Sequence, residues 1–314
     1  MRILVVGAGA IGGYFGGRLL EFGRDVTFLV RPRRGAELAM KGLVIRSRFG
    51  DATLPAPPTV TAAELREPFD LILLSCKAYD LVAAAESFAP AVGANTAILP
   101  LLNGMGHLDL LAARFGGGRV LGGLCIISVT LDGEGRILHL NDSHVVSFGE
   151  RDGRDGSGRV EAIAAEFEGT HCEARRSNNI MQEMWEKWVL IATTAGINCL
   201  MRAPIGDIVA AGADNLGLAL LDECCAIAAW QGHEVAESAR QRIHSLLTGP
   251  GSMFAASMLR DIERGAPIEA NHIIGDLLRR GEAERVYPLL RIAEAHLNTY
   301  QARRIREQST SQAA

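Results

Sequence analysis

The feature that most constrains the fold is a glycine-rich turn that directly follows a short apolar run near the N-terminus. Residues 2–6 predict a buried β-strand, and Gly7-Ala8-Gly9-Ala10-Ile11-Gly12 then fits the pattern G-x-G-x-x-G at the start of a helical segment, residues 10–22. In such a unit the first glycine permits the tight turn and the second lets the backbone approach a pyrophosphate. The third glycine allows the helix to pack closely on the strand. The helix N-terminus offers N–H groups to the anion, so these six residues predict a dinucleotide-binding site.

Short β-rich runs alternate with helical patterns through the first third of the chain. Further strands are predicted at residues 25–30, 71–76 and 97–101, and a helix at residues 80–89. This alternation is typical of βαβ units and of a parallel sheet. The sequence therefore predicts a Rossmann-type α/β domain at the N-terminus.

The pattern changes near residue 120. Two strand-like runs flank Leu131-Asp132-Gly133-Glu134-Gly135, which predicts a hairpin, and a third run covers residues 144–148. We expect the sheet to end in these antiparallel strands near Arg175. Helical patterns follow at residues 178–200, 215–230, 236–247, 268–280 and 288–306. The prediction is an NADP-binding Rossmann domain over residues 1–175 and an all-α domain over residues 176–314 for substrate binding and dimerisation.

Charge and composition exclude several classes of partner. The formal net charge is −4 and positive residues form no long run, so nucleic acid is not an expected partner. The apolar segment at residues 189–201 is shorter than the roughly 20 residues that span a bilayer. Six cysteines without a C-x-x-C pair and eight scattered histidines predict reduced thiols and no metal site. We expect a soluble, cytoplasmic protein, and the apolar helical domain makes a homodimer plausible.

The end of the second predicted strand indicates which dinucleotide is bound. NAD enzymes of this type place an acid there, about 20 residues beyond the glycines, to bind the ribose hydroxyls. This chain has Arg31 at that position, with Arg33 and Arg34 close behind. A guanidinium can bind a 2′-phosphate through two hydrogen bonds, whereas an acid would repel it. The sequence therefore favours NADP(H) over NAD(H).

Four further stretches carry a resemblance to a known family. They are Ser75-Cys76-Lys77-Ala78-Tyr79, Leu102-Asn103-Gly104-Met105-Gly106, Met184-Trp185-Glu186-Lys187-Trp188, and Ser257-Met258-Leu259-Arg260-Asp261-Ile262-Glu263 followed by Glu269. On these motifs the chain resembles the ketopantoate reductase (2-dehydropantoate 2-reductase) family, from Met1 to about Tyr300. The resemblance implies a Rossmann domain followed by a helical domain, and reduction of 2-dehydropantoate to pantoate with NADPH.

The resemblance also implies a role for individual residues. Arg31 and Lys77 match positions that hold the adenosine phosphate of NADPH, and Ser128 matches a backbone contact to the cofactor. Asn103 matches an asparagine near the nicotinamide ribose and the substrate. Lys187 matches the catalytic lysine. Ser257 matches a contact to the substrate carboxylate, and Glu269 matches an acid that anchors the reacting ends of substrate and cofactor.

The chemistry of 2-oxo acid reduction agrees with these residue types. Hydride attack on a carbonyl carbon leaves negative charge on the oxygen, so the site needs a proton donor or a cation beside it. Lys187, between Trp185 and Trp188, can act as that general acid, because an apolar setting lowers the pKa of a lysine toward neutral pH. Asn103 can orient the carbonyl or the nicotinamide ribose.

The chain departs from the family where asparagines bind the substrate. The positions four and eight residues after Lys187 are Ile191 and Ala195, a third is Ile205, and Phe254 stands where another asparagine is common. A pocket that loses hydrogen-bond donors discriminates less strongly for a hydroxylated substrate. Two alternatives to ketopantoate reduction therefore stay open. One is a reductase or dehydrogenase of a more apolar 2-oxo or 2-hydroxy acid on the same fold, and the other is an NADPH-binding regulatory protein with little turnover.

Overall fold

The computed structural model describes the backbone of residues 1–313 and the side chains of residues 1–310. The chain divides into two compact units. The first comprises Met1–Leu102 and His107–Met181, and the second comprises Asn103–Gly106 and Gln182–Ala314. The turn that begins at Asn103 therefore belongs to the second unit, although it follows a strand of the first. The assignment of substrate binding and dimerisation to the C-terminal region stays a prediction.

Within residues 1–313 the first unit holds ten strands and five α-helices. The strands are β1 (Ile3–Val6), β2 (Val26–Leu29), β3 (Leu43–Arg46), β4 (Ala52–Leu54), β5 (Thr59–Val60), β6 (Phe69–Leu74), β7 (Val92–Pro100), β8 (Gly122–Leu131), β9 (Ile137–Gly149) and β10 (Glu173–Arg176). The helices are α1 (Ala10–Glu21), α2 (Pro32–Lys41), α3 (Leu81–Phe88), α4 (Gly106–Phe115) and α5 (Gly158–Phe167).

The first sheet is the parallel sheet that the sequence predicts. Its strand order is β5-β2-β1-β6-β7, with β1 in the centre and every pairing parallel. Strand β1 is buried along its whole length and β6 at all positions but one, which explains their uninterrupted apolar sequence. Together with the helices, this sheet confirms the predicted α/β fold of the N-terminal region.

Helix α1 lies between this sheet and a second one, and its glycines make room for both. A Cβ on Gly16 would lie 2.8 Å from Val5 Cγ2 of the first sheet. On the other side, a Cβ on Gly13 would lie 2.6 Å from Ile137 Cδ1, and one on Gly17 would lie 2.7 Å from a Leu43 methyl group. The glycines beyond the nucleotide motif are therefore explained by close packing of one helix between two sheets.

The second sheet corrects the predicted end of the first. Its order is β10-β9-β3-β4, with β8 paired to β9, and β10 runs parallel to β9. The predicted hairpin across residues 132–136 is confirmed. Residues 144–148 are not a third strand, however, because they continue β9. The register shifts between Ile127 and Val129, where the Ser128 N–H donates to Asn141 Oδ1 at 2.8 Å. This irregularity makes one strand look like two in the sequence.

The second unit is helical, as predicted. Its helices are α6 (Ile180–Met201, which begins at the end of the first unit), α7 (Ile205–Ala210), α8 (Asp214–Trp230), α9 (Glu237–Leu247), α10 (Ser257–Glu263), α11 (Asp276–Gly281) and α12 (Pro288–Ala313). The helix predicted over residues 268–280 begins only at Ala270, and its first part is a π-helical turn, Asn271–Gly275, that leads into α11. Among the described residues, no helix has both the length and the apolar character needed to cross a bilayer.

Candidate functional site

The glycine motif of the first unit forms a cradle at the N-terminus of α1. Gly7 has φ +92°, a conformation that favours glycine. A Cβ on Gly12 would lie 2.1 Å from Ser75 Oγ and 2.3 Å from the Gly7 carbonyl oxygen, so this position is closed by packing. At Gly9, by contrast, a Cβ would meet none of the described atoms within 4 Å. The surface above Gly9 is therefore open to a ligand, and its N–H groups fit a pyrophosphate.

Arginines follow β2 at the end of the cradle where the adenosine phosphate is expected. Arg31 is the N-cap of α2, and its side chain is 77% exposed and lies 2.7 Å from Asp80 Oδ1. Arg33 is also exposed, whereas the Arg34 guanidinium donates to the Ala8 carbonyl at 3.2 Å. Arg31 can therefore turn to an anion. The sequence analysis missed Asp80, although it comes three residues after Lys77.

Lys77 and Ser128 lie in the same unit as the cradle. Lys77 is half-buried and caps a 3₁₀ turn, Ala78–Asp80, that directly follows β6. The carboxyl ends of β1, β2 and β6 meet at one edge of the sheet, which places Lys77 at the same edge as Gly7 and Arg31. The Ser128 N–H already donates within the hairpin, so its main chain offers a ligand only the carbonyl oxygen. Both assignments stay predictions.

In the second unit, Lys187 lies on α6 between two buried tryptophans. Trp185 is 3% exposed and Trp188 is 1% exposed, and their rings lie 4.9 Å apart between centroids. The Trp188 Nε1–H donates to the Ile273 carbonyl at 2.9 Å, which fixes this turn of α6 against the π-helical turn. Lys187 itself is half-buried, so its stem packs among apolar groups.

The other predicted residues of the second unit occupy three separate elements. Asn103 is half-buried and begins the tight turn in which Gly104 has φ +77°. Glu269 is half-buried, and its carbonyl oxygen accepts from Ile273 N at 3.0 Å. Ser257 is exposed at the start of α10. Lys187, Asn103, Glu269 and Ser257 thus belong to one compact unit, while the other predicted cofactor contacts belong to the first unit, namely the glycine motif, Arg31, Lys77 and Ser128.

The positions where asparagines are expected from the family differ in exposure. Ala195 and Ile205 are each 1% exposed, whereas Ile191 is half-buried. A nearby asparagine, Asn198, is fully buried; its Nδ2 donates to the Ala203 carbonyl at 2.8 Å, and its Oδ1 accepts from Ala256 N at 3.0 Å. Asn198 therefore holds the segment that leads into Ser257, a role that the sequence analysis missed.

Thiol and metal chemistry are not supported by the described residues. Five of the six cysteines are buried, and burial raises the pKa of Cys172, Cys199 and Cys224 to about 12. Such thiols stay protonated and unreactive at neutral pH. Within residues 1–313, no group of three or more His, Cys, Asp or Glu side chains is arranged to hold a metal ion.

Two family models together match most of the chain. Residues 3–153 match the family model described as ketopantoate reductase PanE/ApbA, and residues 179–300 match its C-terminal domain. The uncharacterized oxidoreductase YkpB of Bacillus subtilis is 36% identical over 304 residues, which cover 96% of this chain and 99% of that protein.

Two solved structures show the same fold. The 2-dehydropantoate 2-reductase of Geobacter metallireducens is 31% identical with a TM-score of 0.86, over 95% of this chain and 99% of that one. A D-mandelate dehydrogenase solved with NADH and anilino(oxo)acetate is 21% identical with a TM-score of 0.85, over 97% of this chain and 99% of that one. At this lower identity the likeness is one of fold.

Proposed function

Because this chain belongs to the ketopantoate reductase family and is an oxidoreductase, we propose that it reduces 2-dehydropantoate to pantoate with NADPH. The observation that carries the proposal is that Lys187, Asn103 and Glu269 are retained together in one compact unit. A protein that only senses NADPH needs the cradle and the arginines, not these three side chains. Their retention favours turnover over a purely regulatory role.

The cradle supports NADP(H) as the cofactor. The open surface at Gly9 suits the pyrophosphate, and the exposed Arg31 guanidinium suits a 2′-phosphate. The Arg31 guanidinium forms an ion pair with the Asp80 carboxylate at 2.7 Å, so binding of the phosphate requires Arg31 to move or to bridge both anions. An exposed ion pair of this kind is worth only about 1 kcal/mol or less, so the phosphate can compete for the guanidinium.

In this proposal, residues of the second unit bind the substrate and supply the proton that its ketone oxygen needs. When bound, NADPH supplies the hydride. Lys187 Nζ then holds a proton beside the ketone oxygen and neutralises the charge that develops there. Trp188 fixes the turn of α6 that carries Lys187 through its hydrogen bond to the Ile273 carbonyl. Asn103 orients the reacting carbonyl, Ser257 donates its hydroxyl to the substrate carboxylate, and Glu269 anchors the hydroxyl groups of the bound molecules.

A second candidate function has support from α6. Ile191 is half-buried where the family has a substrate-binding asparagine. An apolar side chain there suits a 2-oxo acid that lacks the hydroxyl group of ketopantoate. We therefore keep reduction of a more apolar 2-oxo acid, by the same Lys187 chemistry, as the alternative. A homodimer remains a separate proposal, tested by light scattering of the full chain.

The experiment follows the absorbance of NADPH with the purified chain and a panel of 2-oxo acids, ketopantoate first. Lys187→Ala is compared with Lys41→Ala, a matched control at an exposed lysine at the end of α2. We expect rapid oxidation with ketopantoate that is lost in Lys187→Ala and kept in Lys41→Ala. Activity only on a more apolar acid would support the proposed mechanism but show that ketopantoate is not the substrate. Tight binding of NADPH without turnover on any acid would favour the regulatory alternative.

A further inference from the structure

His272 lies outside the residues that the sequence analysis identified, in the π-helical turn Asn271–Gly275. This turn begins two residues after Glu269, and the His272 N–H donates to the Glu269 carbonyl at 3.1 Å. π-Helical turns are rare and occur frequently at functional sites, because the extra residue changes the direction in which side chains project. The sequence predicts a regular helix over residues 268–280, whereas the structure begins the helix at Ala270 and forms its first part as this π-helical turn.

The ring of His272 packs on the turn that begins at Asn103. A Cβ on Gly104 would lie 2.9 Å from the His272 carbonyl oxygen and 3.1 Å from its ring carbon Cδ2. A Cβ on Gly106 would lie 3.7 Å from His272 Cε1 and 3.2 Å from Asp276 Oδ2. The His272 ring is also hydrogen-bonded to the Asn103 backbone. The imidazole therefore contacts the turn at Asn103, Gly104 and Gly106, which leaves the turn little freedom to shift.

The residue that follows His272 is fixed to the helix of Lys187. Ile273 is 3% exposed, and its carbonyl oxygen accepts the hydrogen bond from the buried Trp188. The Arg280 guanidinium lies over the Trp188 ring, 5.7 Å from its centroid, and donates to Asp276 at 3.2 Å. The π-helical turn is thus held against α6 on one side and against the Asn103 turn on the other.

Burial keeps the His272 ring neutral. Burial lowers the pKa of His272, and Arg280 acts in the same direction. Glu269 and Asp276 oppose this by favouring the protonated ring, and so does the hydrogen bond to the Asn103 backbone. Since burial is the largest of these effects, the ring stays uncharged at neutral pH and contributes a hydrogen bond and packing rather than a charge.

We propose that His272 is a positioning residue that holds Asn103 in the orientation needed for carbonyl reduction, with its main chain coupled to Trp188 beside Lys187. The inference rests on the proposed function, because it assigns Asn103 a role in that reaction. His272 acts through the backbone of Asn103 and the two glycines of its turn. A shift of the turn by about 1 Å is expected to slow the reaction about tenfold to a hundredfold, because hydride transfer depends on near-attack geometry.

The test combines four single variants and one double variant with the enzyme assay. His272→Phe keeps a ring but loses the hydrogen bond, whereas His272→Gln keeps a donor; His244→Phe on α9 is the matched control, because His244 is exposed. We expect kcat to fall at least about tenfold in His272→Phe, with Kd for NADPH unchanged and partial recovery in His272→Gln. In the Asn103→Ala background the same His272→Phe change should lower kcat less than about twofold, because coupled residues are non-additive.

A second measurement separates failure of this inference from failure of the proposed function. Hydrogen–deuterium exchange of the peptide that contains residues 103–106 reports on the turn in the whole chain without any turnover. Faster exchange there in His272→Phe, but not in His244→Phe, supports the positioning role even if no 2-oxo acid is reduced. Unchanged exchange of this peptide would overturn it. So would an undiminished loss of kcat in the Asn103→Ala background.

Discussion

Two alanine substitutions in the glycine motif separate cofactor binding from folding. Gly9 has φ −82° and open space where a Cβ would be, so an alanine fits there without a clash in the ligand-free protein. The added methyl group would instead occupy the surface that a pyrophosphate must approach. We expect Gly9→Ala to raise the Kd for NADPH at least about tenfold, or about 1.4 kcal/mol of binding free energy.

Gly12→Ala should act on stability first. Its methyl group would lie 2.3 Å from the Gly7 carbonyl oxygen, a main-chain atom that can move only if the whole turn shifts. Overpacking of this kind costs about 3 kcal/mol, and the better helix propensity of alanine returns up to about 1 kcal/mol. The expected net loss is about 2 kcal/mol, or about 4–8 °C in Tm for a unit of this size. Gly9→Ala should change the free energy of unfolding by less than about 1 kcal/mol, because the lost N-cap preference and the stiffer unfolded chain offset each other.

The measurements are urea unfolding of the ligand-free variants and titration of each variant with NADPH, in which the fluorescence of the nucleotide reports binding. We expect the two variants to differ: Gly9→Ala should be as stable as the wild type but bind NADPH weakly, whereas Gly12→Ala should be less stable. A Gly9→Ala protein that is stable and binds NADPH like the wild type would refute the cradle at this position. A Gly12→Ala protein as stable as the wild type would refute the packing argument.

Three further variants test other parts of the structure. Arg31→Ala should weaken NADPH binding at least about tenfold while leaving NADH binding within about twofold, as measured by the same titration, because only the 2′-phosphate loses its guanidinium. Asn198→Ala should lower the free energy of unfolding by about 2–6 kcal/mol, because two backbone groups lose their hydrogen-bond partner at about 1–3 kcal/mol each. The control is Asn215→Ala at an exposed position, which should change the free energy of unfolding by less than about 0.5 kcal/mol. Burial lowers the pKa of His144, so the unfolded chain binds its proton more readily and stability should fall as the pH drops below about 6.5. Between pH 7.5 and pH 5, the free energy of urea unfolding should fall less in His144→Gln than in the wild type, because the variant lacks the titrating imidazole. An equal pH dependence in both proteins would contradict the role given to His144.

The parallel sheet could be predicted because local pattern and tertiary role agree there. Strands β1 and β6 are buried on both faces, so they appear as apolar runs, and the glycines after β1 mark both the turn and the predicted anion site. Helix α6 was predicted within two residues of each end for a similar reason, since it carries a long helical pattern without a break. The family resemblance and the fold class are both confirmed by the comparisons.

The second sheet could not be predicted because its features are non-local. The register shift opposite Ser128 divides β9 into two apparent runs, and β3 and β4 are too short to give a periodic pattern. The π-helical turn could not be predicted for the same reason, because it too depends on contacts between residues far apart in the sequence. Residues 268–280 have helical periodicity throughout, but the π-helical turn contacts Trp188 and the turn at Asn103, both far away in the sequence. Sequence periodicity carries no signal for such contacts.

The exposure of the missing asparagines changes what their loss means for the substrate. Three apolar residues on or near α6 looked equivalent in the sequence, but Ala195 and Ile205 are buried at 1% exposure and only Ile191 retains exposed surface. A buried position can favour or disfavour a substrate only through packing, because no substrate atom reaches it without a rearrangement. Of these three positions, Ile191 is therefore the one at which an apolar substrate group would gain most directly. Since Lys187 lies one helical turn before Ile191, the proposed general acid and the position proposed to distinguish ketopantoate from a more apolar acid lie on the same face of one helix. The reaction type and the substrate preference are thus separable on this helix, and the first can be preserved while the second changes.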